Sequence, residues 1–286
     1  MRTQTLNRPS LTQPGSALPR LEDRPFRPLR LWMWLIGATA LFFTVPFLGT
    51  DVVGLEPDLY YLIYFTLAVG WFAAFSYTYR VEVAPLWRHH LGASIGVGAA
   101  AGGGVAVMIF NQAGTAHPDG PRFWLEVAWR GLVYGTVDAI TLFVFPAAVA
   151  YLIMRGDRST LRRKIGFAAL ALALSYLVTV SYHLGYPEYR DDTMRYPLIG
   201  ATVAAVPTVA TGNPVGAVLT HATMHVAAAT HQYQGGPAHM LPPRVTPGYP
   251  SHGDSDLAAG LAAGWMVSAA GTGLVLVRRR ASDKNT

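Results

Sequence analysis

The chain is 286 residues long, 51% hydrophobic and only 13% charged, with a mean hydropathy of +0.28. A soluble domain carries about 25% charged residues, so much of this surface is built to face something other than water, and no stretch reads as a soluble catalytic domain. The absence of cysteine rules out disulfides, iron–sulfur clusters and thiolate metal sites, and the formal charge of +6 is gathered in a few flanking segments rather than spread as a nucleic-acid-binding face.

Residues 1–30 are polar and contain proline, and they carry Arg2, Arg8, Arg20, Arg24, Arg27 and Arg30, which predicts a disordered cytoplasmic tail. They are not a cleavable signal peptide, because the apolar block that follows is long and ends without a small-residue cleavage site. Apolar blocks then run approximately 31–49, 59–79, 91–110, 124–154, 165–184, 196–211, 214–231 and 257–277. A bilayer-crossing helix needs about 20 such residues, so the expected fold is all-α: a polytopic membrane helix bundle of about eight transmembrane helices. The helical domain would cover 31–277, and 278–286 would form a second cytoplasmic basic tail.

The connections carry a charge signal. The first holds Asp51, Glu56 and Asp58 with no basic residue, and the second holds Arg80 and Arg88. The third is nearly neutral; the fourth holds Arg155, Arg158, Arg162, Arg163 and Lys164; the fifth sets Glu188, Asp191 and Asp192 against Arg190 and Arg195. Positive-inside counting puts the N-terminus in the cytoplasm with the second and fourth connections, in a cell (cytoplasmic) membrane. Arg278, Arg279 and Arg280 also belong inside, which requires an even number of crossings. The extra crossing comes from 196–231, which is too long for one span and is broken by Thr211-Gly212-Asn213-Pro214. We split it there around a tight cytoplasmic turn; a single bent helix is the alternative. Residues 232–256, with His239 and His252, would form an external loop. The third span concentrates Gly96, Gly98, Gly102, Gly103 and Gly104, a pattern of close helix packing rather than of a nucleotide site.

Polar groups inside apolar spans are costly and mark candidate sites. Glu126 and Arg130 stand at an i,i+4 spacing with the acid first, the favourable order for an ion pair. His183 lies near the external end of the fifth span. His221 and His225 lie four residues apart, so both imidazoles project from one helix face, as a metal requires. Counting helix rise places these five side chains in the external half of the bundle, where they are expected to converge. Asp138 sits deeper in the fourth span, where bonding to a Thr, Ser or Tyr of a neighbouring helix is the plainer reading and a proton relay the sharper one. His89 and His90 flank a cytoplasmic loop and need no special role.

This arrangement resembles the CAAX-protease and bacteriocin-processing (CPBP, or Abi) superfamily of intramembrane proteases, which are eight-helix membrane proteins with three sparse motifs. Glu126-Val127-Ala128-Trp129-Arg130-Gly131 is similar to the first, a Glu-Glu pair followed by an apolar stretch and Phe-Arg-Gly. Tyr182-His183-Leu184 is similar to the second, which ends a helix with Phe-x-x-x-His. The Thr211-Gly212 turn, followed by His221-Ala222-Thr223-Met224-His225, is similar to the third. The likeness covers roughly residues 120–230 and departs from the pattern at Leu125, Trp129, Thr179 and His225. Leu125 stands where the family has the base that activates water.

The resemblance implies hydrolysis of peptide bonds at the membrane. Glu126 would act as base or ligand and Arg130 would orient it. His183, His221 and His225 would complete a His₃ or His₃Glu site for a divalent metal such as zinc. Two other functions fit the same pattern: a non-catalytic membrane binding or immunity-type protein of this fold, or a transport or redox protein whose histidines hold a metal or haem. The expected partners are membrane lipids and a membrane-embedded peptide or protein substrate, with no nucleic acid.

Overall fold

The computed structural model describes residues 27–235 and Leu241. The remainder of the basic tail, His239, His252, the span expected at 257–277 and Arg278–Arg280 lie outside the described residues. Among the described residues there is no strand. The helices are α1 Pro28–Pro46, continued by a π-helical turn Phe47–Val52; α2 Pro57–Thr78; α3 Arg80–Arg88; and α4 Leu91–Phe110. Then follow α5 Pro121–Ile153, α6 Leu161–Leu184, α7 Arg195–Thr211 and α8 Val215–His231.

Five of these, namely α1 with its extension, α2, α4, α5 and α6, are long and apolar enough to cross a membrane. Helices α7 and α8 have 17 residues each. The break expected at 211–214 is present: Gly212 ends α7 in the left-handed region at φ 72°, a conformation that glycine adopts without strain. Asn213 fixes the turn, donating from Nδ2 to the carbonyls of Trp87 (3.1 Å) and His89 (2.7 Å) while its Oδ1 accepts from Val215 N–H. The short amphipathic α3 was not among the expected elements.

Side chains sort the connections into two poles. At one, Arg158 donates to Gly212 O (2.5 Å) and Asn213 ties His89, so the second, fourth and sixth connections meet. At the other, Arg190 pairs with Asp51 (2.8 Å), joining the fifth connection to the first. The third connection also lies there, with Thr115 N–H donating to His231 O and Gln232 donating to Gln112 (2.7 Å) at the end of α8. This sorting is the one that charge counting requires of a bundle crossed by successive antiparallel helices.

Helix α5 is the hub, with 83% of its apolar window buried against 22–39% for the other four long helices. That contrast explains the surface: Trp32, Met33, Ile36, Val107, Ile199 and Val209 stand exposed on the outer faces of α1, α4 and α7. Bare apolar side chains of this kind are unfavourable against water and suit a lipid environment, so the bundle fits a membrane-embedded protein. The glycines of α4 divide by role. Gly98 and Gly102 lie against Gly216, Thr220 and Thr223 of α8, whereas Gly96, Gly103 and Gly104 meet open space. Thr220 completes the α4–α8 contact by donating to Gly98 O (3.1 Å).

Candidate metal centre

Helix α5 is not uniformly α-helical. π-Helical stretches Val127–Val133 and Ile140–Val144 bracket the α-helical segment Tyr134–Ala139, which carries Asp138. Such widened turns re-aim side chains and are frequent at functional sites. Asp138 is 3% exposed. Its Oδ1 accepts from Tyr64 Oη of α2 at 2.7 Å, which leaves Oδ2 facing His221, whose Nε2 lies 3.9 Å away.

His221 and His225 project from one turn of α8, as their spacing requires, and their Nε2 atoms stand 3.1 Å apart. Two nitrogen lone pairs cannot face each other at that distance without repulsion. Without an ion, one Nε2 must therefore carry the hydrogen and donate to the other. A tetrahedral ion about 2.0–2.1 Å from each ring would hold the two nitrogens about 3.3 Å apart and use both lone pairs. One ligand atom each from Asp138, His221 and His225 fall within 4.8 Å of one another. Phe143 and Tyr134 pack edge-on or tilted against His221 and His225, each at 5.1 Å, and fix the rings.

These three residues line a cavity of about 40 Å³ together with Tyr134, Thr179 and His183. That volume holds an ion and a water or two, since one water needs roughly 10–15 Å³ of this measure. His183 Nδ1 lies 2.8 Å from Thr179 O; a carbonyl only accepts, so Nδ1 carries the hydrogen and Nε2 keeps its lone pair. Backbone support of this kind is how metal-ligating histidines are oriented. Two buried atoms of residues that line the cavity, His221 Nδ1 and Thr179 Oγ1, have no hydrogen-bond partner among the described residues. Buried polar atoms are rarely left this way, so the cavity is suited to a polar occupant. Tyr189, in the loop after α6, also lines it and packs edge-on against His183 at 4.8 Å. Burial, then the neighbouring Glu188, holds its phenol above the usual value, so it stays neutral.

Of the five residues expected at the site, the structure brings His221 and His225 to ligand distance of each other and places His183 in the lining of the same cavity. Glu126 and Arg130 do not join them, and the carboxylate beside the histidines is Asp138. The reason is antiparallel register. A side chain on Gly131 would meet Val226, and one on Gly135 would meet Ala222 and His225, so earlier residues of α5 face later residues of α8. Glu126 accordingly accepts from Tyr233, which lies eight residues beyond His225, about 12 Å along a helix. It also pairs with Arg122 (3.4 Å) and Arg130 (3.8 Å), at a site 21% exposed. Tyr233 is held above its usual pKa by burial and then by Glu126, so it remains a neutral donor. In this protein Glu126 belongs to a rim cluster; it is not a ligand within reach of the cavity.

Sequence reasoning found Asp138 but assigned it to hydrogen bonding, and the Tyr64 contact fulfils that assignment. Its place beside the two histidines had a signal, since Asp138 is the one acid in the interior of the fourth apolar block. Thr179 entered only as a departure from a motif. No family model matches the chain, and no curated protein or solved structure matches it.

Proposed function

We propose that the protein is a membrane-embedded, metal-dependent hydrolase acting on peptide bonds, with the ion held by Asp138, His221 and His225 and completed by His183. The observation that carries this reading is the convergence of a carboxylate and two imidazoles within 4.8 Å in a small buried cavity. A charge at such depth needs a counter-charge, and a divalent cation supplies one. Bound there, the ion would polarise a carbonyl and lower the pKa of a water.

The chain's own residues do the rest. Tyr64 holds Asp138 with Oδ2 turned to the histidines, Thr179 offers a hydroxyl to a water in the cavity, and Thr179 O holds His183 in the tautomer that presents Nε2. Peptide hydrolysis rather than another reaction rests on the CPBP resemblance of His183 and of the Thr211–His225 segment. Glu126 does not line the cavity, and Asp138 is the carboxylate that the cavity offers in its place, as a ligand.

The pole that gathers Arg80, Arg88, Arg155, Arg158 and Arg162 is assigned to the cytoplasm, and 257–277 to an eighth crossing, which returns the C-terminus there. The natural absence of cysteine makes this directly testable. Ser159→Cys is expected to label only from the cytoplasmic side, and Asp119→Cys only from the other.

For the activity, protein reconstituted with zinc and a library of single-span peptides is analysed by mass spectrometry. Cleavage by wild type that disappears in Asp138→Asn and on chelation supports the proposal. Cleavage that survives both contradicts it.

A further inference from the structure

Four tyrosine hydroxyls form a continuous series through the bundle. Tyr60 Oη lies 2.5 Å from Tyr186 Oη, Tyr186 donates to Tyr182 at 2.6 Å, and Tyr182 lies 2.6 Å from Tyr134. All four residues are fully buried. A phenol has one hydrogen, and Tyr186 gives its own to Tyr182, so Tyr60 must be the donor to Tyr186.

The series has two distinct ends. At the inner end Tyr134 lines the cavity with Asp138 and the histidines. At the outer end Tyr60 lies in the first turn of α2 and Tyr186 lies just past the end of α6. The segments beside both carry the half-exposed Asp51–Arg190 ion pair: Arg190 bonds the carbonyls of Leu184 and Gly185, just before Tyr186, and Tyr60 packs against Gly49, two residues before Asp51. Ring contacts hold the phenols in line, with Tyr64 stacked on both Tyr60 (6.2 Å) and Tyr182 (5.1 Å).

We infer that Tyr60, Tyr186, Tyr182 and Tyr134 are a proton path between the Asp138–histidine cavity and the pole of the bundle marked by Asp51 and Arg190. The inference rests on reading the cavity as a hydrolytic ion site, because water activation in a buried cavity requires protons to enter and leave. A proton arriving at the Tyr60 oxygen displaces that residue's hydrogen to Tyr186. The same exchange repeats at Tyr182 and Tyr134, and the last hydrogen reaches the cavity. Each phenol ends neutral with its O–H reversed, and a proton leaving the cavity runs the steps backward. No oxidant or other reactant is needed.

The test uses the full chain purified in detergent and loaded with cobalt(II), whose visible spectrum reports both coordination and ionisation at the ion. After a rapid pH jump, the relaxation of that spectrum is timed in wild type, Tyr182→Phe and Tyr176→Phe. Tyr176 bonds Thr202 outside the series and serves as the control. Tyr182→Phe is expected to bind cobalt with the same stoichiometry and end-point spectra but to relax about 100-fold more slowly, with Tyr176→Phe unchanged. Relaxation of Tyr182→Phe at the wild-type rate overturns the path while leaving the ion site standing. Failure of wild type to bind cobalt overturns the ion site and the path together. Should Tyr182→Phe alter the end-point spectra, Tyr60→Phe, which removes only the outermost hydroxyl, decides by the same rate criterion.

Discussion

Two carboxylates on α5 illustrate how differently one helix can house a charge. Glu126, at the rim, is surrounded by Arg122, Arg130 and Tyr233 and keeps contact with solvent. Asp138 is 3% exposed, accepts from Tyr64, and has His221 and His225 beside it. The rim acid is thus neutralised by fixed guanidinium groups, whereas the interior acid has imidazoles and phenols, which carry no permanent positive charge. A short motif pointed to the first; depth and surroundings point to the second as the group left to meet a cation.

The comparison is broken most severely at Gly135, where a Cβ would lie 2.9 Å from Ala222 Cα and 3.1 Å from His225 Cβ. Gly135→Leu must push α8 away from α5. It is expected to abolish zinc binding and to cost about 3 kcal/mol in a detergent unfolding titration. Next is the direct contrast: Asp138→Asn should weaken zinc binding by about 100-fold, while Glu126→Gln leaves it unchanged, as read by competition with a chelating dye. Equal losses in the two variants would erase the distinction between rim and interior.

Asn213→Ala removes three hydrogen bonds that pin the turn before α8, and is expected to lower stability by about 2 kcal/mol without touching zinc affinity at saturation of the folded state. Tyr64→Phe frees Asp138 Oδ1 and should reduce zinc affinity about tenfold, the usual size for loss of a supporting hydrogen bond. The smallest effect belongs to Glu126→Gln on stability, about 0.5 kcal/mol, because its ion pairs are partly screened by solvent.

Much of the fold was legible because membrane helices announce themselves by length and apolarity. Seven of the expected blocks coincide with helices, and the split at Gly212 followed from residues that cannot continue a helix. The pairing of His221 with His225 was equally legible, since it depends only on helical periodicity. What the sequence did not disclose was which residue of α5 faces them. Placing Glu126 at their depth assumed that helices begin at a common level. Helix α5 instead runs 33 residues, contains two π-helical stretches and meets α8 through Gly131 and Gly135, so its rim and its centre face different turns of α8. The tyrosine series was invisible for a related reason: its four members come from α2, α5, α6 and the loop after α6, and only packing sets their hydroxyls in order.

The most direct test is the metal content of detergent-purified protein, wild type beside the His221→Ala/His225→Ala double variant, with the helical circular dichroism of both recorded. The account predicts a stoichiometric divalent ion in wild type, lost in the variant while the helical signal is retained. A folded wild type that takes up no divalent ion even when one is supplied would contradict it.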